Sequence, residues 1–448
     1  MEAGRKRLVL LACILGTAVV TLDAMVVNVA LPAIAADLGG GLAGQQWTSN
    51  AYLLTLGSLL LVGGALGDVL GERRVFALSV GAFGVASLAC AAAPTIGVLV
   101  GARALQGIAG AVLTPVALAT IIAVFDDSER GRAVGAWTAW SGIGLVLGPL
   151  LGGQIVDAVS WRWIFAINVP IVVATLMLVL RSVPRRPGRG GLGRMDWTGG
   201  ALCALGLAGV SFGLIEQPLH GFGAARVWAP LAAGAALFAA FLAFEARARA
   251  PMLPLALFRR RNFAAGNVET FAVYGGLGLV YFLLLLFLQQ AAGWSALAAG
   301  TTSLPPSVVL LLLSTRFGAL ADRHGPRLFM GVGPLVAAAG LALLVPLDAE
   351  VEFAIDLLPG LLIFSLGLAI TVAPLTATVL ADADEGNAGV ASGVNNAIAR
   401  VAALVAIAAV GVVVAARFGA ALDDELGPLA RRPELARPLA EARREPLA

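Results

Sequence analysis

The chain has 448 residues, of which 59% are hydrophobic and only 13% charged, with a mean hydropathy of +0.91. A soluble domain carries about a quarter charged residues, so this composition excludes a soluble globular protein and defines a polytopic membrane protein. The net charge of +3 is less informative than where the charges fall.

Arg5, Lys6 and Arg7 precede the first apolar run, so the positive-inside rule places the N-terminus in the cytoplasm of a cell-membrane protein. A bilayer-crossing helix needs about 20 apolar residues. Thirteen stretches qualify: 8–31, 47–67, 75–93, 96–124, 132–156, 163–181, 197–217, 228–244, 263–289, 298–321, 328–347, 354–380 and 387–415. They are rich in small residues, which suits close helix packing. The resulting cytoplasmic loops hold Arg73 and Arg74, Arg130 and Arg132, and the runs Arg181 to Arg194 and Arg247 to Arg261. The outer loops are short and carry acids such as Asp37, Asp157 and Asp348.

A Pro, Gly and Arg-rich break at 182–195 follows six spans, and a second basic break ends at Asn262. The chain therefore divides into an N-terminal six-helix half (1–181), a linker with two inserted spans (182–262), a C-terminal half (263–416) and a polar tail (417–448). An internal repeat supports this division. Gly64 to Gly71 and Gly318 to Gly325 both read G-A-L-x-D-x-x-G, with arginine following, at the cytoplasmic ends of spans two and ten. In the first copy Gly64, Asp68, Gly71, Arg73 and Arg74 form a candidate gating loop, with opposite charges at helix ends.

Asp23 lies inside the first apolar run, where a carboxylate costs about 2.5–3.5 kcal/mol on insertion scales. It is either a proton-carrying group or a packing acid bonded to a neighbour. Arg103, in a span running the other way, lies at the same depth, about 10 Å below the outer edge. The two can pair, as a coupling element or as a fixed brace. Span five carries G-x-x-x-G-P-x-x-G-G at Gly144, Gly148, Pro149, Gly152 and Gly153, a small-residue face bent by proline.

These patterns resemble the major facilitator superfamily, in particular its fourteen-helix drug:proton antiporter branch. The loop frame, the span-four motif at Arg103, Gln106, Gly107 and Gly110, and the antiporter motif of span five carry the likeness. Leu22 to Pro32, WRWIFAINVP (Trp161 to Pro170) and NNAIAR (Asn395 to Arg400) are also similar to that branch. The resemblance implies an all-α fold of two six-helix bundles plus two inserted helices, and proton-driven export of amphipathic molecules by alternating access. Asp23 would be the proton-sensing acid and Arg103 its partner. The energy source would be the proton gradient, with no bound cofactor, nucleic acid or enzymatic activity, and the protein would work as a monomer. Alternatives are an exporter of one metabolite, siderophore or self-made antibiotic, and a non-transporting sensor.

Two departures from the pattern stand out. A fourteenth span is missing, because the tail after about Ala416 is charged and broken by proline. Glu269, in span nine, is a second titratable group, a snorkelling acid reaching Arg259 to Arg261, or a partner of Arg400, which itself is a candidate for binding a substrate anion. Asn28, Asn50, Tyr52, Gln106, Trp137 and Trp140 are candidates for the cavity lining. Cys13, Cys90 and Cys203 lie apart in apolar runs with no disulfide or metal spacing. No phosphate-cradling Gly-rich loop appears, which argues against an ATP-driven pump.

Overall fold

In the computed structural model, residues 3–126, 129, 133–134, 136–137, 140, 143–185, 196–248, 251, 253–381 and 388–426 are described. They form helices at all thirteen apolar stretches. In chain order these are α1 (Ala3–Leu38), α2 (Gly41–Leu70), α3 (Glu72–Ala91), α4 (Ile96–Val124), α5 (Ile143–Ala158) and α6 (Trp163–Ser182). Then come α7 (Trp197–His220), α8 (Ala225–Glu245), α9 (Arg261–Ala291) and α10 (Ala296–Thr301 continuing as Leu304–His324). The last three are α11 (Pro326–Ala342), α12 (Leu358–Ala381 after a π turn) and α13 (Ala388–Leu426). No strand occurs among the described residues.

Local chemistry sets the boundaries. Thr95 Oγ1 accepts from the Val98 amide and starts α4; Asp196 accepts from the Gly199 amide at 2.7 Å and starts α7. The two copies of the repeat end alike. Gly71 (φ 90) and Gly325 (φ 83) each close one helix by donating to the carbonyl four residues back, Gly67 and Ala321, and open the next. Those dihedrals belong to glycine. Gly71→Ala and Gly325→Ala are each expected to cost about 1–3 kcal/mol, read as a lower thermal midpoint of the purified protein. An unchanged midpoint would mean that the turn relaxes.

In the N-terminal half α6 lies across α1 and α3, while α4 packs on α1, α2 and α3 around Phe76, Phe83, Leu113 and Ile121. In the C-terminal half α9 packs on α13 and α12, and α12 on α10 and α11. Helices α7 and α8 form a hairpin on α2 and α13; Gly206, Gly209 and Gly234 let their backbones touch. The last helix runs to Leu426, so the first part of the expected polar tail continues α13. Residues 186–195 of the expected linker and 427–448 of the tail lie outside the described residues.

The two halves meet along α2 and α13 and are clasped at the end where α1 and α5 finish. There Val29 joins Leu284, Leu285, Leu288, Ala296 and Leu361 in one core, and Gln289 Nε2 donates to the Val29 carbonyl at 3.0 Å. Toward the opposite end each half packs round its own core, with Phe263, Leu375, Val379 and Val394 serving the C-terminal one.

Candidate functional site

Asp23 and Arg103 are brought together, with side chains 0% and 1% exposed, and form a direct ion pair. Such a pair is tolerable in a low-dielectric interior only if its remaining lone pairs and protons are also satisfied. Both carboxylate oxygens and the Nε and Nη1 groups of the guanidinium have partners. The second carboxylate oxygen of Asp23 accepts from Gln106 Nε2 and from Asn168 Nδ2, both at 2.8 Å. Arg103 also donates to Gln106 Oε1 at 2.7 Å and to the Thr48 carbonyl at 3.2 Å. Its guanidinium lies 4.2 Å from the centre of the Tyr52 ring, a cation–π contact in a dry site. Ser87 Oγ accepts from both Gln106 (2.9 Å) and Asn168 (3.3 Å).

Spacing explains the geometry. Arg103 and Gln106 sit three residues apart and share one face of α4. A Cβ at Gly107 would fall 2.4 Å from the Tyr52 carbonyl oxygen, so only glycine lets α4 press this closely on α2. That contact carries the Tyr52 ring to Arg103, and Tyr52 Oη anchors to the Val20 carbonyl at 3.0 Å. Asn168 arrives from α6 because α6 crosses α1 and α3 at this level. Sequence reasoning did not single out Asn168, Ser87 or the Thr48 carbonyl. The one available signal was Asn168 itself, an amide in the apolar run that follows WRWIF.

The glycines of α5 have two faces. A Cβ at Gly144, Gly148 or Gly152 would strike Leu22, Met25 or Val26 of α1, at 2.7, 2.6 and 3.1 Å. A Cβ at Gly153 would lie 2.4 Å from the Leu297 Cα, and one at Gly300 would lie 2.4 Å from the Pro149 carbonyl oxygen. So one face of α5 holds the stretch of α1 that bears Asp23, and the other meets α10 of the opposite half. Asp157 completes the clasp. Its carboxylate accepts from the Ala296 and Leu297 amides, at 3.1 and 2.8 Å, at the start of α10.

The other candidates scatter. In the gating loop Arg73 donates to the Leu180 carbonyl and Arg74 is exposed. The surroundings of Gly64 and of the Asp68 side chain lie outside the described residues. Asn28 Oδ1 accepts from Ser49 at 3.3 Å, and Trp137 Nε1 donates to Thr17 at 3.0 Å. Trp140 is 57% exposed. Asn50 is fully buried with no partner for either amide atom. Glu269 and Arg400 are both half-buried and form no ion pair with each other among the described residues. No cluster of metal-ligating side chains occurs among the described residues.

A helical bundle of two halves, clasped at one end and holding a sealed ion pair within one half, is the architecture of a membrane transport protein. The chain belongs to the Major Facilitator Superfamily, whose profile matches residues 13–407. It is 33% identical over 426 residues to the tetracenomycin C resistance and export protein of Streptomyces glaucescens, covering 94% of this chain and 78% of that one. The methylenomycin A resistance protein of Bacillus subtilis is 34% identical over 412 residues, covering 91% and 87%. Among solved structures, a bacterial homologue of the human lysosomal transporter Spinster, in an inward-facing and unoccupied conformation, superposes with a TM-score of 0.65 at 18% identity. That match covers 100% of this chain and 93% of that one, and supports the fold.

Proposed function

We propose that the protein exports drug-like or antibiotic molecules across the cytoplasmic membrane in exchange for protons. The resistance and export activities named for its relatives support the cargo. The observation that carries the coupling is Asp23, a buried carboxylate whose bonds come from α4 and α6 while its own helix stretch is gripped by α5. With the N-terminus in the cytoplasm the clasped end is the outer one, which supports reading this state as inward-facing.

In this state Asp23 is charged and pairs with Arg103. In the outward-facing state, once cargo has left, a proton from the outer side neutralises the carboxylate and removes the Coulombic partner of Arg103, which keeps Gln106 and the Thr48 carbonyl. Helix α1 is then held less tightly to α4 and α6. Because α5 packs on α1 with one face and on α10 with the other, a shift of α1 bears directly on the clasp. Proton occupancy at Asp23 thereby biases which end is open: the protonated carrier closes its outer end, and release of the proton to the cytoplasm restores the Asp23–Arg103 pair and readies the site for the next cargo.

The test uses everted vesicles with a preset pH gradient. Adding ethidium or methylenomycin A is expected to dissipate the gradient with the wild type and not with Asp23→Asn inserted at equal level. Unchanged coupling in the variant would remove Asp23 from the mechanism. A drug-susceptibility panel, with and without the protein, separates broad export from export of a single antibiotic.

A further inference from the structure

Asp23 neutralises Arg103, which leaves one deeply placed cation in the C-terminal half without a counter-charge. Arg400 sits on α13 near the middle of the apolar run 387–415, half-buried, with no hydrogen bond or ion pair among the described residues. An arginine at this depth is costly unless something compensates its charge. Glu269 is not that group. On α9, Asn267 and Thr270 bond to Asn395, and Gly275 and Gly278 abut Ala402 and Ala403, so this is the face that meets α13. At 100° per residue Glu269 points about 200° away from Asn267, to the far side of α9.

The α2 side of the same seam is also unfinished. Gln46 Nε2 donates to the Ile407 carbonyl at 2.6 Å, and Gly57 lies against Arg400, whose Cβ is 3.4 Å from where a Gly57 Cβ would be. Gln46, Asn50 and Gly57 share one helical face. Asn50, between two residues that meet α13, is 0% exposed, and neither its amide nitrogen nor its oxygen has a partner. A buried side-chain amide left without partners is uncommon and calls for an explanation.

We propose that Arg400 and Asn50 form a subsite, between the two halves, for a carboxylate carried by the exported molecule. The guanidinium fork matches a planar carboxylate, and the Asn50 amide supplies a further donor. Glycine at position 57 leaves the arginine stem room against α2. Because α2 and α13 belong to opposite halves, a ligand held here touches both. This inference rests on the transport reading and adds to it a preference for cargo that carries an organic acid group.

The probes are 1-naphthoate and its neutral isostere 1-naphthamide, with affinities measured on the purified full chain by quenching of intrinsic fluorescence. Wild type is expected to bind naphthoate at least about tenfold more tightly than naphthamide. Arg400→Gln should abolish that preference, Arg400→Lys should keep part of it, and Asn50→Ala should weaken naphthoate several-fold, to about the worth of one hydrogen bond. Should Arg400→Gln not fold, Arg400→Lys and Asn50→Ala carry the test. Equal affinity for the two probes in wild type, a preference surviving in Arg400→Gln, or its equal loss in Glu269→Gln would overturn the subsite. A preserved binding preference in a protein that moves neither ethidium nor naphthoate in vesicles would instead overturn the transport reading while supporting the subsite.

Discussion

Arg103→Ala is expected to destabilise the protein by about 3–5 kcal/mol, the cost of leaving one member of a buried ion pair without its partner. Asp23 would retain two amide donors, from Gln106 and Asn168, but would lose its charge compensation, and Tyr52 would lose the cation against its ring. The loss should appear as a lowered thermal midpoint and as absent coupling in vesicles. Joining it to Asp23→Asn should cost less than the two single losses added together, since the neutral amide no longer demands a cation. A cycle of the two variants should show an interaction of about 0.5–3 kcal/mol. Additive losses would mean that the two side chains stabilise the bundle independently, and the pair would lose its standing as a unit.

The second large effect is mechanical. In Gly153→Leu the new side chain begins where the Leu297 Cα already lies 2.4 Å away, so α5 and α10 cannot keep their approach. Overpacking of this kind costs about 1–3 kcal/mol. Because it penalises only the clasped state, it should move the balance between the two access states by about tenfold, at 1.4 kcal/mol per decade. Spin labels on cysteines introduced at Val159 and Val345, both exposed at the clasped end, should report a longer distance. Gly153→Ala should give a smaller change in the same direction. An identical distance distribution in Gly153→Leu would show that the helices slide past the obstruction, and that the glycine is not what holds this end shut.

Fold and site differed in how much the sequence disclosed. Span positions were legible because hydrocarbon thickness imposes one length on every crossing; the 96–124 run and α4 (Ile96–Val124) coincide. Starts were harder where polar residues are buried. Helix α2 begins at Gly41, ahead of the expected position 47, because Gln45 and Gln46 lie inside the bundle rather than in a loop. The pairing of Asp23 with Arg103 could be read because charges are rare in apolar runs and depth follows from rise per residue. Ser87 and Asn168 could not be ranked in that way. Uncharged polar residues cost little in a helix bundle, and their role emerges only once α6 is known to cross α1 and α3. The two faces of the α5 glycines were likewise hidden, since a small-residue motif states that something comes close without stating what.

The clasp between the halves has an asymmetric composition. On the N-terminal side it depends on one carboxylate, Asp157, and on glycines; on the C-terminal side the Ala296 and Leu297 groups that meet the carboxylate are peptide N–H groups. Every residue except proline supplies such a group. The donors that Asp157 grips therefore do not depend on which side chains stand at 296 and 297; only the packing of Ala296 in the clasp core limits those. Mutational drift on that face of the C-terminal half leaves these donors in place, whereas a single change at Asp157 removes their acceptor.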